Sequence, residues 1–254
     1  MGRDHVAGPA EDADFHEQKP ARNVDLESAL KEPDECDEAS NGVVDPSVGD
    51  MYQTRKELAE AESSLLVHLE LYQWLGSREG MAAAYFNLGI VYQALGDLEP
   101  AEAMYTEALT FDAVLGRSER IAAASSNLGR VHQARGNLTQ AVMMHRKALE
   151  LHEAFGRKEG MAAAYGNLGL VLQTRGDLDG AEAMHRKALA INEKLGRPEG
   201  MAINYANLGN VFRRRGDVNE TRAQWLKARD LYVKMGAHHM AERMQTRIDD
   251  LPTE

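Results

Sequence analysis

Residues 157–196, which read RKEGMAAAYGNLGLVLQTRGDLDGAEAMHRKALAINEKLG, decide the fold of this chain. The preceding 40 residues align with this stretch without a gap and are identical to it at 22 of 40 positions. The same frame extends back to residue 77 and forward to residue 236, which gives four tandem copies. A fixed period of this length is typical of stacked repeats, because one unit cannot bury its apolar face alone. The sequence therefore predicts a repeat solenoid whose function lies on the surfaces that the stack creates.

Each copy predicts two helices joined by a tight turn. In the third copy, apolar residues recur at helical spacing in residues 162–172 and again in residues 181–191. Gly176 and Asp177 separate the two halves, and a glycine followed by an N-cap residue is expected where one helix ends and the next begins. No alternation of apolar and polar residues predicts a strand, so the expected fold class is all-α.

Outside the four copies, the sequence predicts a tail, a degenerate repeat and a cap. Residues 1–45 combine acidic runs with three prolines and few large apolar residues, so we expect them to be disordered. Residues 46–76 keep traces of the repeat, but Lys56 stands where the turn glycine is expected, so residues 50–75 are predicted to form one unbroken helix. Residues 237–254 predict a capping helix with a polar open side. The predicted repeats are residues 77–116, 117–156, 157–196 and 197–236.

The negative charge of the chain is concentrated in its first 50 residues. The net charge is −11, and residues 1–50 hold 14 Asp and Glu against 4 Lys and Arg, a balance of −10 that leaves −1 for the rest. The repeats therefore have no basic excess that would attract nucleic acid. No apolar segment reaches the length of a signal peptide or a membrane span, and the expected location is the cytoplasm. The single cysteine, Cys36, cannot form an intrachain disulfide.

Large and small residues alternate where the two helices of a copy meet. In the third copy these residues are Tyr165, Leu168, Gly169, Leu172, Ala181, His185 and Ala188. This pattern resembles the tetratricopeptide repeat, and the 40-residue period with its Asn-Leu-Gly core resembles the repeats of kinesin light chain and of the Pins-type spindle-orientation adaptors. The resemblance covers residues 47–251 and implies a right-handed superhelical solenoid of antiparallel helix pairs. Departures at Glu193, where the family has a proline, and at Ser125 and Thr221 predict looser packing in the second and fourth copies.

One asparagine recurs in the first helix of every copy, as Asn87, Asn127, Asn167 and Asn207. In the resembling families the first helix lines the concave face, and helical spacing turns this position away from the core. Asparagine is a middling helix former, so its repetition needs a cause. One cause is duplication or a structural hydrogen bond to a neighbouring helix. The other, which we predict, is a ladder whose amides pair with an extended peptide backbone, the role of the matching position in those families.

Neighbouring positions offer candidate contacts for the side chains of such a peptide. Arginines gather in the later copies and would attract an acidic peptide, although Arg135, Arg175 and Arg215 also suit the C-terminal ends of their helices. The acidic residues 1–45 are a candidate competitor for the same surface. Beside the four asparagines, the predicted peptide-binding residues are Phe86, Ile90, Gln93, Arg130, Gln133, Leu170, Gln173, Asn210, Arg213 and Arg214.

The sequence predicts neither catalysis nor a cofactor. His145 and His185 recur 40 residues apart, but Tyr105 and Trp225 occupy the same position, which indicates packing rather than a metal site. The sequence contains no glycine-rich phosphate loop, no nucleophile elbow and no His-Glu-x-x-His motif. The predicted function is therefore an adaptor that binds an extended, acidic peptide segment of another protein, with no nucleic acid or membrane as partner. The alternatives are a homo-oligomeric scaffold and a regulatory subunit of a separate enzyme.

Overall fold

Helices form all of the regular structure in the part of the chain that can be described. The computed structural model describes residues 46–252, with side chains from residue 54 onward, and holds no strand in that range. The disorder expected for residues 1–45 lies outside the described residues. The helices are α1 (Pro46–Trp74), α2 (Arg78–Leu95), α3 (Leu98–Val114), α4 (Ser118–Ala134), α5 (Leu138–Ala154), α6 (Lys158–Arg175), α7 (Leu178–Leu195), α8 (Pro198–Arg215), α9 (Val218–Lys234) and α10 (His238–Asp249).

The helices stack in chain order, each against the one before and the one after it. The first helices of the four copies (α2, α4, α6 and α8) also contact one another across the stack, and among the described residues no comparable contact joins two of the second helices (α3, α5, α7 and α9). One surface is therefore lined by first helices. The all-α solenoid of helix pairs predicted from the 40-residue period is confirmed. Among the described residues, no helix combines the length and the hydropathy that crossing a membrane requires.

Left-handed glycines set the helix junctions. All positive φ angles of the described residues belong to glycines, which recur every 20 residues from Gly76 to Gly236 with φ between 64° and 92°. A side chain at such a position is strained, because the left-handed region brings Cβ close to the backbone. At the end of α6, the Gly176 N–H donates to the Gln173 carbonyl oxygen and the Asp177 N–H donates to the Leu172 carbonyl oxygen. The Asp177 carboxylate accepts a hydrogen bond from the Gly180 N–H at 2.9 Å. These junctions let the chain reverse direction between one helix and the next at equal intervals.

Within each copy, a glycine of the first helix lies directly against a large side chain of the second. A Cβ built on Gly169 would lie 2.5 Å from the His185 ring, and one on Gly89 would lie 2.7 Å from the Tyr105 ring. Because such distances are shorter than atoms allow, any side chain at these glycines would push the two helices apart. The remaining two pairs of the same kind are Gly129 with His145 and Gly209 with Trp225.

Two of these large side chains are buried histidines. His145 and His185 have no exposed surface, and neither ring nitrogen of either residue has a hydrogen-bond partner among the described residues. Burial lowers the pKa of each histidine to about 4, and the positive charge of Arg130 adds to the effect at His145. Both rings are therefore neutral packing groups, as the shared position with Tyr105 and Trp225 predicts.

The second helix of each copy contacts the first helix of the next copy through one position whose residue type varies. Tyr72, His152 and Asn192 each lie against a glycine of the following first helix, in the last case Gly200. In the first copy the same two positions hold Asp112 and Arg120, whose carboxylate and Nε form an ion pair at 3.1 Å. Asp112 is fully buried. Burial raises its pKa above the ordinary value, and the charge and hydrogen bond of Arg120 limit the rise.

The segment before the first full copy forms a single helix. α1 runs without a break from Pro46 to Trp74, so it begins four residues before the predicted residue 50. It packs on α2 through a cluster that contains Leu65, Leu69 and Tyr72. Pro46 at the first helical position explains the earlier start, because proline suits the first turn of a helix.

The buried histidines predict that the protein loses stability in mild acid. Their pKa is about 4 in the folded chain and 6.5 when unfolded, so the unfolded chain binds more protons between these values. The free energy of unfolding should therefore fall as the pH drops below 6.5, by about 2 kcal/mol per histidine at pH 5. Urea titrations between pH 7.5 and pH 4.5 measure this loss.

The variant His185→Tyr is the matched control, since Tyr105 fills the same position of the first copy against Gly89. The Tyr105 hydroxyl donates to Gln93 Oε1 at 3.0 Å, and Gln173 holds the equivalent position in the third copy with an unpartnered buried oxygen. We expect His185→Tyr to fold and to lose about half of the histidine-dependent slope. An unchanged pH slope would show that the buried rings do not control acid stability.

Candidate functional site

The four repeated asparagines lie at one position of the first helices. Asn87 is exposed, and Asn127, Asn167 and Asn207 are half-buried. Among the described residues, no hydrogen bond is made by any of these four side-chain amides. The structural hydrogen bond to a neighbouring helix, one of the two explanations for their repetition, is therefore not formed there. Each amide keeps its two donors and its acceptor for another molecule.

Asn167 and Asn207 line the same groove between α6 and α8, which has a volume of ≈ 240 Å³. Leu170 and Ile203 provide apolar walls, and an ion pair between Arg197 Nη1 and Glu159 Oε1 at 3.4 Å lies at one end. The full lining is Glu159, Ala162, Ala163, Gly166, Asn167, Leu170, Asn192, Arg197, Gly200, Ile203, Asn204 and Asn207. The groove thus combines amides with aliphatic surface, which suits a peptide chain.

Phe86 does not belong with the groove residues. Its ring packs edge-to-face against Tyr105, with centroids 5.8 Å apart, and joins the core cluster of Leu128 and Val131. The matching position of the third copy is Gly166, where an added Cβ would meet nothing within 4 Å. From the sequence, Phe86 was predicted to contact a side chain of the peptide, whereas its ring packs on the core. The third copy has no side chain at this position, so the groove is open at Gly166.

One turn after the asparagines, the predicted contact residues differ from copy to copy. Ile90, Arg130 and Leu170 are exposed, and Asn210 is half-buried. These residues lie on the surface lined by the first helices, three positions after the asparagine of the same helix. From the first copy to the fourth, this position therefore changes from apolar to cationic, then apolar, then amide.

Of the glutamines predicted between these residues, Gln93 is bonded to the second helix of its own copy. Gln93 Oε1 accepts a hydrogen bond from the Tyr105 hydroxyl at 3.0 Å. Gln173 Oε1 is buried without a partner among the described residues, and Gln133 is half-buried. Gln93 is thus occupied within its own copy and is a weaker candidate for ligand binding than the asparagines.

The predicted cationic contacts also divide into free and occupied side chains. Arg130 is exposed and has no ion pair among the described residues, and its charge is close enough to lower the pKa of His145. The Arg213 guanidinium lies over the Trp225 ring at 5.7 Å. Arg214 donates from Nη1 to the backbone carbonyl oxygen of Gln173. Arg130 is therefore the cation most available to a bound anion.

The helix-pair geometry and the 40-residue period agree with the sequence comparison. The profile described as tetratricopeptide repeat matches residues 47–113 and 120–194, which is more than half of the chain. The chain belongs to the tetratricopeptide repeat family. Tetratricopeptide repeats form scaffolds for protein-protein interaction, so the chain belongs to a class of protein-binding adaptors.

Solved structures share this fold. BtubC (BKLC) from P. vanneervenii is 26% identical over 74% of this chain and 78% of its own, with a TM-score of 0.67. A Podosopora anserina protein with nearly identical TPR-like repeats is 22% identical over 74% of this chain and 93% of its own, with a TM-score of 0.61. The apo form of RapI is 16% identical over 78% of this chain and 72% of its own, with a TM-score of 0.69. At these identities the last two similarities concern the fold alone. No curated protein sequence matches the chain significantly.

Two arginines at the ends of first helices form ion pairs with the preceding tetratricopeptide repeat. Arg135 contacts Glu102 through Nη1 and Glu99 through Nη2, the latter at 3.3 Å. Arg215 makes the equivalent contacts with Glu182 and with Asp179, the latter at 2.5 Å. Helix-end charge was the simpler explanation from the sequence, but the specific partners lie on the second helix of the copy before. These two arginines therefore connect repeats and do not face a ligand.

The acidic partners respond to these arginines, as Glu182 illustrates. Burial alone would raise the pKa of Glu182, but hydrogen bonds from Arg215 and Arg186 outweigh this effect and bring the pKa below its ordinary value. Arg175 has no ion pair among the described residues, because Thr139 and Val142 stand where the acidic partners would be. The contact is therefore made at alternate repeats only.

A second set of ion pairs connects the starts of successive first helices. Arg117 pairs with Glu79 at 2.5 Å, Arg157 with Glu119, and Arg197 with Glu159 at 3.4 Å. Sequence reasoning missed this series, although an arginine follows a glutamate by 38 residues in each pair. That recurring separation was the available signal. The series ends at Glu199, since residue 237 is an alanine.

The alternate pattern predicts a difference between two similar substitutions. Arg135→Ala should lower the free energy of unfolding by roughly 0.5 to 1 kcal/mol, because partly exposed ion pairs contribute about this much. Arg175→Ala, the matched control, should change it by less than about 0.5 kcal/mol. The difference should shrink in high salt, which screens exposed charges. Equal effects of both substitutions in urea titrations would contradict the assignment of Arg135 to the repeat interface.

Proposed function

We propose that this protein is an adaptor that binds an extended segment of a partner protein along the surface lined by its first helices. The observation that carries the proposal is that four asparagine amides recur there every 40 residues without a hydrogen-bond partner among the described residues. These amide atoms are open at the surface, so the donors and acceptors of a ligand backbone can pair with them. We further propose a cytoplasmic location for this role.

The spacing of the amides fits an extended chain. Packed helices lie about 8 to 10 Å apart, and an extended peptide advances about 3.3 Å per residue. One amide can therefore engage the peptide at about every third residue, and four amides cover about ten residues. Each net hydrogen bond stabilises the complex by about 0.5 to 1.5 kcal/mol, so additional side-chain contacts must supply selectivity.

An acidic ligand is the finer part of the proposal. Arg130 is the exposed cation beside Asn127, and the Coulomb attraction of an unpaired guanidinium for a carboxylate favours a peptide with Asp or Glu at that point. The repeats themselves are close to neutral, because −10 of the net −11 belongs to residues 1–50. The attraction is thus local to Arg130 and not a general property of the surface.

Binding without catalysis is part of the same proposal. The residues that line the groove between α6 and α8 are amides, aliphatic side chains, glycines and one arginine–glutamate ion pair. This lining has no nucleophile beside a general base, which acid-base or covalent catalysis would require. A shallow surface spread over four repeats instead favours recognition of a long, flexible ligand.

The ladder predicts a loss of peptide capture when two of its amides are removed. Asn127→Ala combined with Asn167→Ala should lower the capture of peptides from a random decapeptide display library at least about tenfold, which corresponds to about 1.4 kcal/mol. Asn137→Ala is the control, because Asn137 is exposed at the start of α5 and makes no side-chain cap. Equal capture by the double variant and the wild type would refute the ladder.

The same library tests the preference for acidic peptides. Arg130→Leu introduces the residue that the next copy has at this position, Leu170, so the fold should tolerate it. We expect the variant to select fewer acidic sequences and its binding to depend less on salt. If both proteins select the same sequences, the acidic preference fails while the ladder stands.

We also propose, as a second candidate, that two copies of the chain associate through α1. One side of this helix packs on α2, but among the described residues nothing covers the other side. Five large apolar residues at the C-terminal end of α1 are exposed, among them Trp74 with 82% exposure. A cluster of this size indicates a contact surface. The exposed apolar residues are Leu66, Val67, Leu71, Trp74 and Leu75.

A second α1 is the occupant that fits this surface. Its exposed apolar residues all lie within residues 66–75, so two copies of the helix that cross there would cover each other's apolar surface. The opposite end of the solenoid, α10, exposes Glu242, Arg243 and Thr246, which would oppose head-to-tail stacking. A closed twofold dimer is therefore favoured over a filament.

Light scattering coupled to size exclusion tests the dimer. The wild type should approach twice the monomer mass as its concentration rises, and Leu71→Ser combined with Trp74→Ser should remain monomeric, because it removes the apolar contact. Val233→Ser serves as the control, since Val233 is an exposed apolar residue on α9. A wild type that stays monomeric at every concentration would eliminate this candidate.

A further inference from the structure

Two buried asparagines form the floor of the groove between α6 and α8. Asn192, on α7, is 6% exposed, and Asn204, on α8, is 4% exposed. Both line the groove below Asn167 and Asn207. Neither residue was identified from the sequence, because the repeated asparagine drew attention to a different position. Four amides therefore converge on one pocket.

The other repeats do without these two asparagines. At the position of Asn192 they have Tyr72, Asp112, His152 and Tyr232. At the position of Asn204 they have Ala84, Ala124 and Ala164, with Met244 in α10. The helix-pair fold thus forms without an asparagine at either position, with a ring or Asp112 in place of Asn192 and an apolar side chain in place of Asn204. The two buried amides occur together at this one junction, which sets it apart from the others.

The pocket exists because Asn192 is small. Tyr72 and His152 fill the space against Gly80 and Gly160, and Asn192 lies in the same way against Gly200, where an added Cβ would be 2.6 Å from its amide nitrogen. The glycine is retained while the side chain beside it is shorter, so volume remains. Gly166 across the groove adds to the opening, since no neighbour occupies the place of its missing side chain.

The amides of the floor are not satisfied within the fold. Asn204 Nδ2 donates to the Gly200 carbonyl oxygen at 2.6 Å, and its Oδ1 has no partner among the described residues. The side chain of Asn192 makes no hydrogen bond in the described part of the chain. The free amide atoms of these two residues are not among the fully enclosed, unpartnered atoms of the described residues, so they open onto the groove and are available to a ligand there.

We infer that this pocket binds a carboxamide side chain, Gln or Asn, of the peptide in the groove. The inference rests on the proposed function. A carboxamide donates and accepts at once, so it forms two reciprocal hydrogen bonds with Asn192 and its NH₂ group also reaches the free Oδ1 of Asn204. A carboxylate only accepts and would oppose both oxygens, an ammonium only donates, and an aliphatic side chain would leave every amide unpartnered. The aliphatic Leu170 and Ile203 contact the methylene groups of the ligand side chain.

The experiment uses the full chain and the random decapeptide display library. The wild type should enrich peptides with Gln or Asn at one fixed position. Replacing that residue by Glu in a selected peptide should weaken its affinity at least about tenfold, because the site then faces a group that cannot donate. The Asn192→His variant should bind the Gln and Glu peptides equally, since it fills the pocket with the side chain that the preceding copy has against Gly160.

Asn204→Ala is the second variant, with the residue that three other copies have at this position. It should keep or raise the unfolding temperature and weaken binding of the Gln peptide. It decides the question if Asn192→His does not fold. A lower unfolding temperature with unchanged peptide affinity would overturn the inference, because the amides would then serve the fold.

The outcomes separate this inference from the proposed function. Peptides that need Asn127 and Asn167 but have no preference for Gln or Asn would overturn the pocket and leave the groove. Enrichment of Ser, Thr or an acidic residue at the fixed position would also overturn it. If no peptide is enriched at all, the peptide-binding function fails and the pocket assignment fails with it.

Discussion

The close contact between a glycine of each first helix and a large side chain of each second helix determines the rest of the structure. Gly169 admits the His185 ring against its backbone, which a Cβ at 2.5 Å would prevent. This contact fixes which side of the first helix faces inward. Asn167, two residues earlier, is turned about 200° around the helix axis, so it faces outward. The groove and its amides are thus a geometric consequence of the packing that forms each repeat.

Features that recur with the period could be predicted from the sequence alone. The helix pairs, the junctions at Gly176 and Asp177, the packing role of His185 and the position of Asn167 all follow from local patterns that four copies repeat. Helical periodicity indicates which side of a helix is buried before any contact is known. Repetition then separates the positions that the fold needs from those that vary, as the replacement of His185 by Trp225 illustrates.

Features that depend on how one copy meets the next could not be predicted in this way. The partners of Arg135 lie 33 and 36 residues earlier on another helix, so no local pattern reveals them. The packing of Phe86 on Tyr105 depends on the crossing of two helices. Asn192 was missed for a different reason. A single polar residue in a buried position is visible only when the neighbouring copies are compared position by position and its surroundings are known.

The buried ion pair between Asp112 and Arg120 has a consequence for the order of the modules along the chain. Asp112 belongs to the first copy and Arg120 to the second, so the pair spans the junction between these copies. At the junction between the third and fourth copies, the same two positions hold Asn192 and Gly200. Exchanging two modules would leave the carboxylate of Asp112 enclosed without its counter-charge, and burying an unpaired ion is strongly unfavourable. Near-identical copies are therefore not interchangeable, because the residues at each junction require a particular neighbouring copy.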